Sequence, residues 1–77
     1  MDKKKIAKTL VSLRGDKTQK EVATDLGISI SALAMYEQGH RIPRDEIKII
    51  IANYYGKSVQ EIFLKQMSRK RTIEEDI

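Results

Sequence analysis

The sequence predicts an all-α protein. Two S/T-x-x-E pairs carry the prediction first, Thr18 with Glu21 and Ser58 with Glu61, since each is a capping box that satisfies two orphan backbone N–H groups at a helix start. A second observation is the recurrence of apolar residues three and four positions apart. A third is that no stretch alternates apolar and polar residues at the period of a strand, and no repeat or low-complexity tract competes.

In chain order, Ile6, Leu10, Val11 and Leu13 mark a first helix over residues 3–13, with lysines on its wet side. Gly15 ends it, and residues 14–17 form the loop into Thr18. Arg14-Gly15-Asp16 also spells an integrin-type adhesion tripeptide, for which a helix-ending glycine is the simpler account. A second helix begins at Gln19, with Val22, Ala23 and Leu26 as its apolar stripe and Lys20, Glu21, Thr24 and Asp25 on the other face. Gly27 stops it, because a residue without Cβ takes the left-handed conformation at no steric cost. Ser29 caps a third helix whose inward face is Leu33 and Tyr36, with Ile28 packing ahead of the cap and Gly39 closing the helix. Pro43 blocks continuation. A fourth helix over residues 44–55 places Asp45 and Glu46 at its positive dipole end and stops at Gly56. Ser58 and Glu61 start a brief fifth helix through Ile62, Phe63 and Leu64.

The two helices around Gly27 are the most informative part. Small Ala23 lets them cross steeply at close range, where a long side chain would wedge them apart. The second then protrudes, and its outward positions Ile30, Ser31, Ala34 and Met35 suit a DNA major groove, which is wide enough to take an α-helix. This arrangement resembles the lambda-repressor and Cro-like helix-turn-helix family, also called the xenobiotic-response-element (XRE) family of bacterial and phage regulators. The resemblance covers about residues 6–64. It rests on Thr18-Gln19, Ala23, Gly27, Ile28-Ser29, Leu33, Glu37-x-Gly39, Arg41, Pro43 and Val59-x-x-Ile62-Phe63. It implies a compact five-helix lambda-repressor-like domain with the helix-turn-helix at helices 2 and 3. The function it implies is a sequence-specific DNA-binding transcriptional regulator, a repressor of phage or mobile-element type that binds an inverted-repeat operator as a homodimer.

The resemblance also implies roles for single residues. The family's glutamine at the start of the second helix contacts a backbone phosphate, and Gln19 stands at that position. The family's basic residue after the glycine turn approaches the backbone too, and Arg41 matches it. The matching glutamate is structural or orients a basic neighbour, so Glu37 is expected to support Arg41 or a loop N–H. From the residues themselves, Lys17, Lys20, His40 and Arg44 flank the groove as further phosphate contacts, and Ser29 and Gln38 reach it from the two ends of the third helix.

The reading face departs from many relatives. Where Arg, Gln, Asn or Thr often stand, Ile30, Ser31, Ala34 and Met35 offer one hydroxyl and apolar contact for thymine methyls, so A·T-containing sites and modest direct readout are expected, with DNA shape supplying the remainder. The same apolar face motivates an alternative, a protein-interaction module such as an antitoxin or adaptor on this fold.

The fourth helix is richer in apolar residues than one buried stripe needs. Ile47, Ile51 and Tyr55 suffice for the core, leaving Ile49, Ile50 and Tyr54, with Phe63 and Leu64, for a symmetric dimer contact. Residues 1–64 form the helix-turn-helix domain, and residues 65–77 a charged tail running from Arg69-Lys70-Arg71 to Glu74-Glu75-Asp76, read as mobile or loosely helical.

Composition agrees. A length of 77 residues suits one small domain, and a net charge of +4 suits a polyanionic partner. There is no cysteine and a single histidine, which excludes a thiolate metal site and an ordinary zinc site, and no triad-like arrangement suggests an enzyme. No metal or cofactor is expected. With neither a signal-peptide pattern nor a stretch of membrane-spanning length, a cytoplasmic protein is expected, with double-stranded DNA as its partner.

Overall fold

The computed structural model describes residues 2–64, which are helical and without strands; the expectation for residues 65–77 lies outside them. Five helices follow in order: α1 (Lys3–Arg14), α2 (Gln19–Leu26), α3 (Ile30–Glu37), α4 (Asp45–Tyr55) and α5 (Gln60–Leu64). None is long and apolar enough to cross a membrane.

Local chemistry sets the helix starts. The Asp2 carboxylate accepts the Lys4 and Lys5 amides at 3.0 and 3.2 Å and caps α1. In the α2 capping box, the Glu21 amide donates to Thr18 Oγ1 at 3.0 Å and the Thr18 amide to Glu21 Oε1 at 2.9 Å. Ser29 Oγ accepts the Ala32 amide at 3.0 Å and starts α3. The second box closes as expected, with the Ser58 amide on Glu61 Oε1 at 2.8 Å and the Glu61 amide on Ser58 Oγ at 3.0 Å. Only α4 begins without a side-chain cap, behind Arg44, where Asp45 and Glu46 in the first turn face the helix dipole.

Boundaries differ from expectation by one residue in two places. Arg14 is the last residue of α1 rather than the first of the loop, and Arg44 flanks α4 rather than opening it. The fifth helix is wound as a single π-type turn, and its consecutive Ile62 and Phe63 are both buried.

Between α2 and α3, Gly27 has φ 75° and ψ 29°, and the Ile28 amide donates back to Ala23 O at 3.0 Å, a Schellman closure that reverses the chain in two residues. Ala23 is 1% exposed at the crossing, as its size requires. α1 and α2 both pack on α3, α4 lies against α2, and α5 lies against α1. The core gathers Ile6 and Leu10 from α1, Val22 and Leu26 from α2, Leu33 and Tyr36 from α3, Ile51 and Ala52 from α4, and Ile62 and Phe63 from α5.

One expected interface residue belongs to this core. Phe63 is fully buried within the single chain, so it has no surface to offer a second copy. Among its intended companions, Ile49, Ile50 and Leu64 are exposed, whereas Tyr54 packs against the core edge.

Candidate functional site

The outward side of α3 is open. Ile30 is 47% and Met35 39% exposed, Ser31 is exposed between them in sequence, and Ala34 is half-buried along the same stripe. At helical spacing these four positions make one ridge, which Gln38 extends one turn further. The ridge is held up by Leu33 and Tyr36 on the opposite side of α3, buried against α1 and α2.

Around the ridge stand the polar residues. Lys20, Ser29, Gln38, His40, Arg41 and Arg44 are exposed, and Gln19 is half-buried at the first turn of α2. The Gln38 backbone amide donates to Ala34 O at 2.9 Å and ends α3.

Glu37 has different partners from those expected. Its carboxylate is not on Arg41 or on a loop amide: Arg14 Nε donates to Glu37 Oε2 at 2.8 Å and to Oε1 at 3.1 Å, and Gln19 Nε2 donates to Oε1 at 2.9 Å. The physical reason is burial. The Glu37 side chain is 2% exposed, and a carboxylate so placed needs charge-assisted donors on the inner side of α3, where the end of α1 and the start of α2 converge. Arg41, beyond Gly39, is exposed. Arg14 also donates from Nη1 to Lys17 O at 2.8 Å, fastening the loop into α2. The hydrogen bond to Glu37 raises the Arg14 guanidinium above its ordinary value. A side chain engaged on both edges in this way is not displayed as an adhesion tripeptide.

Arg14 is the site residue that sequence reasoning missed. It stands 23 positions before Glu37, and nothing in the local pattern links the two.

Lys17 turns to α4. Its Nζ donates to the Tyr54 hydroxyl at 3.2 Å and sits 5.4 Å from the Tyr54 ring centroid, while that hydroxyl donates to Asp25 Oδ2 at 2.7 Å. The hydrogen bond to Tyr54 raises the Lys17 ammonium above its ordinary value. Lys17 thus belongs to a polar chain tying α2 to α4.

Tyr55, next to Tyr54 and edge-on to it at 5.0 Å between centroids, brings its hydroxyl under the Glu37 cluster. That oxygen is buried without a hydrogen-bond partner. Burial, with the Glu37 charge and then Tyr54 adding to it, pushes the phenol up to about 12.

Residues 13–62 match the family model described as helix-turn-helix. No curated protein matches the chain, and no solved structure does.

Proposed function

Because the chain belongs to the lambda-repressor and XRE-like helix-turn-helix family, and is thereby a DNA-binding transcriptional regulator, we propose that it is a repressor that reads an A·T-containing inverted repeat as a homodimer in the cytoplasm. The observation that carries this reading is the exposed ridge of Ile30, Ser31, Ala34 and Met35 on a helix that the rest of the fold buries from behind. In the groove, Ser31 donates to or accepts from base edges and the three apolar side chains meet thymine methyls. Gln19 holds one amide hydrogen on Glu37 and has the other, with the unpaired N–H groups of the first turn of α2, for a phosphate. Lys20, Ser29, Gln38, His40, Arg41 and Arg44 add phosphate contacts on either side, whereas the Lys17 ammonium is held on Tyr54 and joins them only by leaving it.

Dimerisation through Ile49, Ile50 and Leu64 fits this role. These three exposed apolar side chains lie on α4 and α5, and a two-fold pairing sets two reading helices about one DNA turn apart, as an inverted repeat demands. Repression follows from occupying promoter DNA.

Selection of bound duplexes from a random pool at moderate salt tests the reading. An enriched A·T-containing inverted repeat is the expected result, and no enrichment by folded protein overturns it. The exposure of Ile30 and Met35 also favours a second reading, a protein-interaction module such as an antitoxin, whose apolar contact would respond weakly to salt where phosphate contacts respond steeply.

A further inference from the structure

Gly39 turns the chain out of α3 with φ 78°, and it does so directly against the first turn of α1. A Cβ placed on it would stand 3.5 Å from Lys3 O and 3.7 Å from Lys4 Cα. The two residues that follow, His40 and Arg41, are exposed, as are Lys3 and Lys4. Two residues of chain span at most about 7 Å, so Arg41 leaves the fold within one long side chain's reach of the α1 lysines. Residues distant in sequence thus form a single basic edge.

Among the described residues no carboxylate pairs with Lys3, Lys4 or Arg41. Asp2 is the nearby acid, and its carboxylate is occupied by the Lys4 and Lys5 amides as the α1 cap. The edge keeps a net positive charge, Lys3, Lys4 and Arg41 against the one Asp2 carboxylate, and it is carried by side chains rather than by open helix amides. Its place matters more than its size. It continues the α3 ridge at the Gln38 end, whereas Gln19 and Lys20 stand at the start of α2. A helix lying in a groove about 12 Å wide meets a sugar-phosphate strand on each side.

We propose that Lys3 and Lys4, joined to His40 and Arg41 across Gly39, form a second phosphate-binding edge that grips the DNA strand bordering the groove opposite the one met by α2. The inference rests on the DNA-binding reading above and assigns a role to the start of α1, which the helix-turn-helix pair alone does not include. Gly39 permits the contact because its left-handed conformation, φ 78°, turns the post-α3 loop against the first turn of α1.

The test compares two variants of equal charge loss on the full chain, K3Q/K4Q and K8Q/K57Q, since Lys8 and Lys57 are exposed and are not the residues that Gly39 meets. Glutamine keeps a helix propensity close to that of lysine, so α1 remains formed, and far-UV circular dichroism verifies it. Affinity for a duplex selected by the wild-type protein is measured between 50 and 200 mM salt. Each lost phosphate contact lowers the slope of log affinity against log salt by roughly 0.9. K3Q/K4Q removes two contacts from each protomer of the bound dimer and is expected to lower the slope by about 3.6 and to weaken specific and random DNA by the same factor, while K8Q/K57Q keeps the wild-type slope. Ethylation interference on the wild-type complex should mark phosphates that lose their effect in K3Q/K4Q alone. Equal slopes for the two variants, with the wild-type protein binding tightly, overturn the second edge and leave the DNA-binding reading intact. Absence of any salt-dependent duplex binding by the wild-type protein removes both.

Discussion

Arg14 and Glu37 join the end of α1 to the end of α3 through two hydrogen bonds from one guanidinium nitrogen, at 2.8 and 3.1 Å. Because Gln19 completes the same carboxylate at 2.9 Å, this pair also sets where the first turn of α2 lies relative to the reading helix. The chemistry is one-sided. Removing either partner strands a group the fold has desolvated, whereas removing both does not.

Arg14→Met is accordingly expected to destabilise the protein by about 3 kcal/mol, from the general cost of leaving a buried charge unpaired. The double change Arg14→Met with Glu37→Met should recover a large part of that loss. Urea unfolding of the wild type, the two single variants and the double variant checks this, and additive losses would show that the two side chains act independently.

Tyr55 gives a prediction in alkali. Its phenol is pushed from 10.0 to about 12 by burial and by the Glu37 charge, so the folded state resists an ionisation that the unfolded chain accepts. The stability this protects is complete below pH 10 and is lost as pH rises through about 12. Tyr55→Phe should flatten that loss, and near pH 7 it should leave stability unchanged or up to roughly 1 kcal/mol higher, since the hydroxyl it removes has no partner. Thermal unfolding of both proteins across the alkaline range is the measurement.

Phe63 and its exposed neighbours should part company. Phe63→Ala is expected to cost about 3–5 kcal/mol as a large-to-small change in a sealed core. Ile49→Ser with Ile50→Ser should shift monomer stability by less than about 0.5 kcal/mol per site while weakening self-association in sedimentation equilibrium. A dimer unaffected by the double change would place the interface elsewhere.

Ser31→Ala together with Met35→Ala is expected to abolish sequence preference with the fold intact. Competition between a selected operator and random duplex reads this out, and an unchanged ratio would move base reading off α3.

What was legible in the sequence was local. Thr18 and Glu21, Ser58 and Glu61, Gly27 and Ser29 specify helix ends within four residues, and each behaves as its chemistry dictates. The outward order of Ile30, Ser31, Ala34 and Met35 was equally legible, since a helical period settles which residues share a side. The partner of Glu37 was not, because a carboxylate's nearest cation in space depends on how α1 folds back over α3. An apolar surplus in α4 and α5 likewise shows that some side chains are spare without showing which, and Phe63 went to the core for want of any local mark. The closeness of Lys3 to Gly39 is of the same kind.

The capped helix starts bear on how fast the chain reaches this structure. With Asp2, Thr18, Ser29 and Ser58 each closing a first turn through bonds spanning two or three residues, helix nucleation is relieved at four points before any distant residues meet. The search that remains is the docking of short, already bounded helices, a topology whose members fold in microseconds to milliseconds. Temperature-jump relaxation, which spans that range, is the measurement suited to its main folding phase.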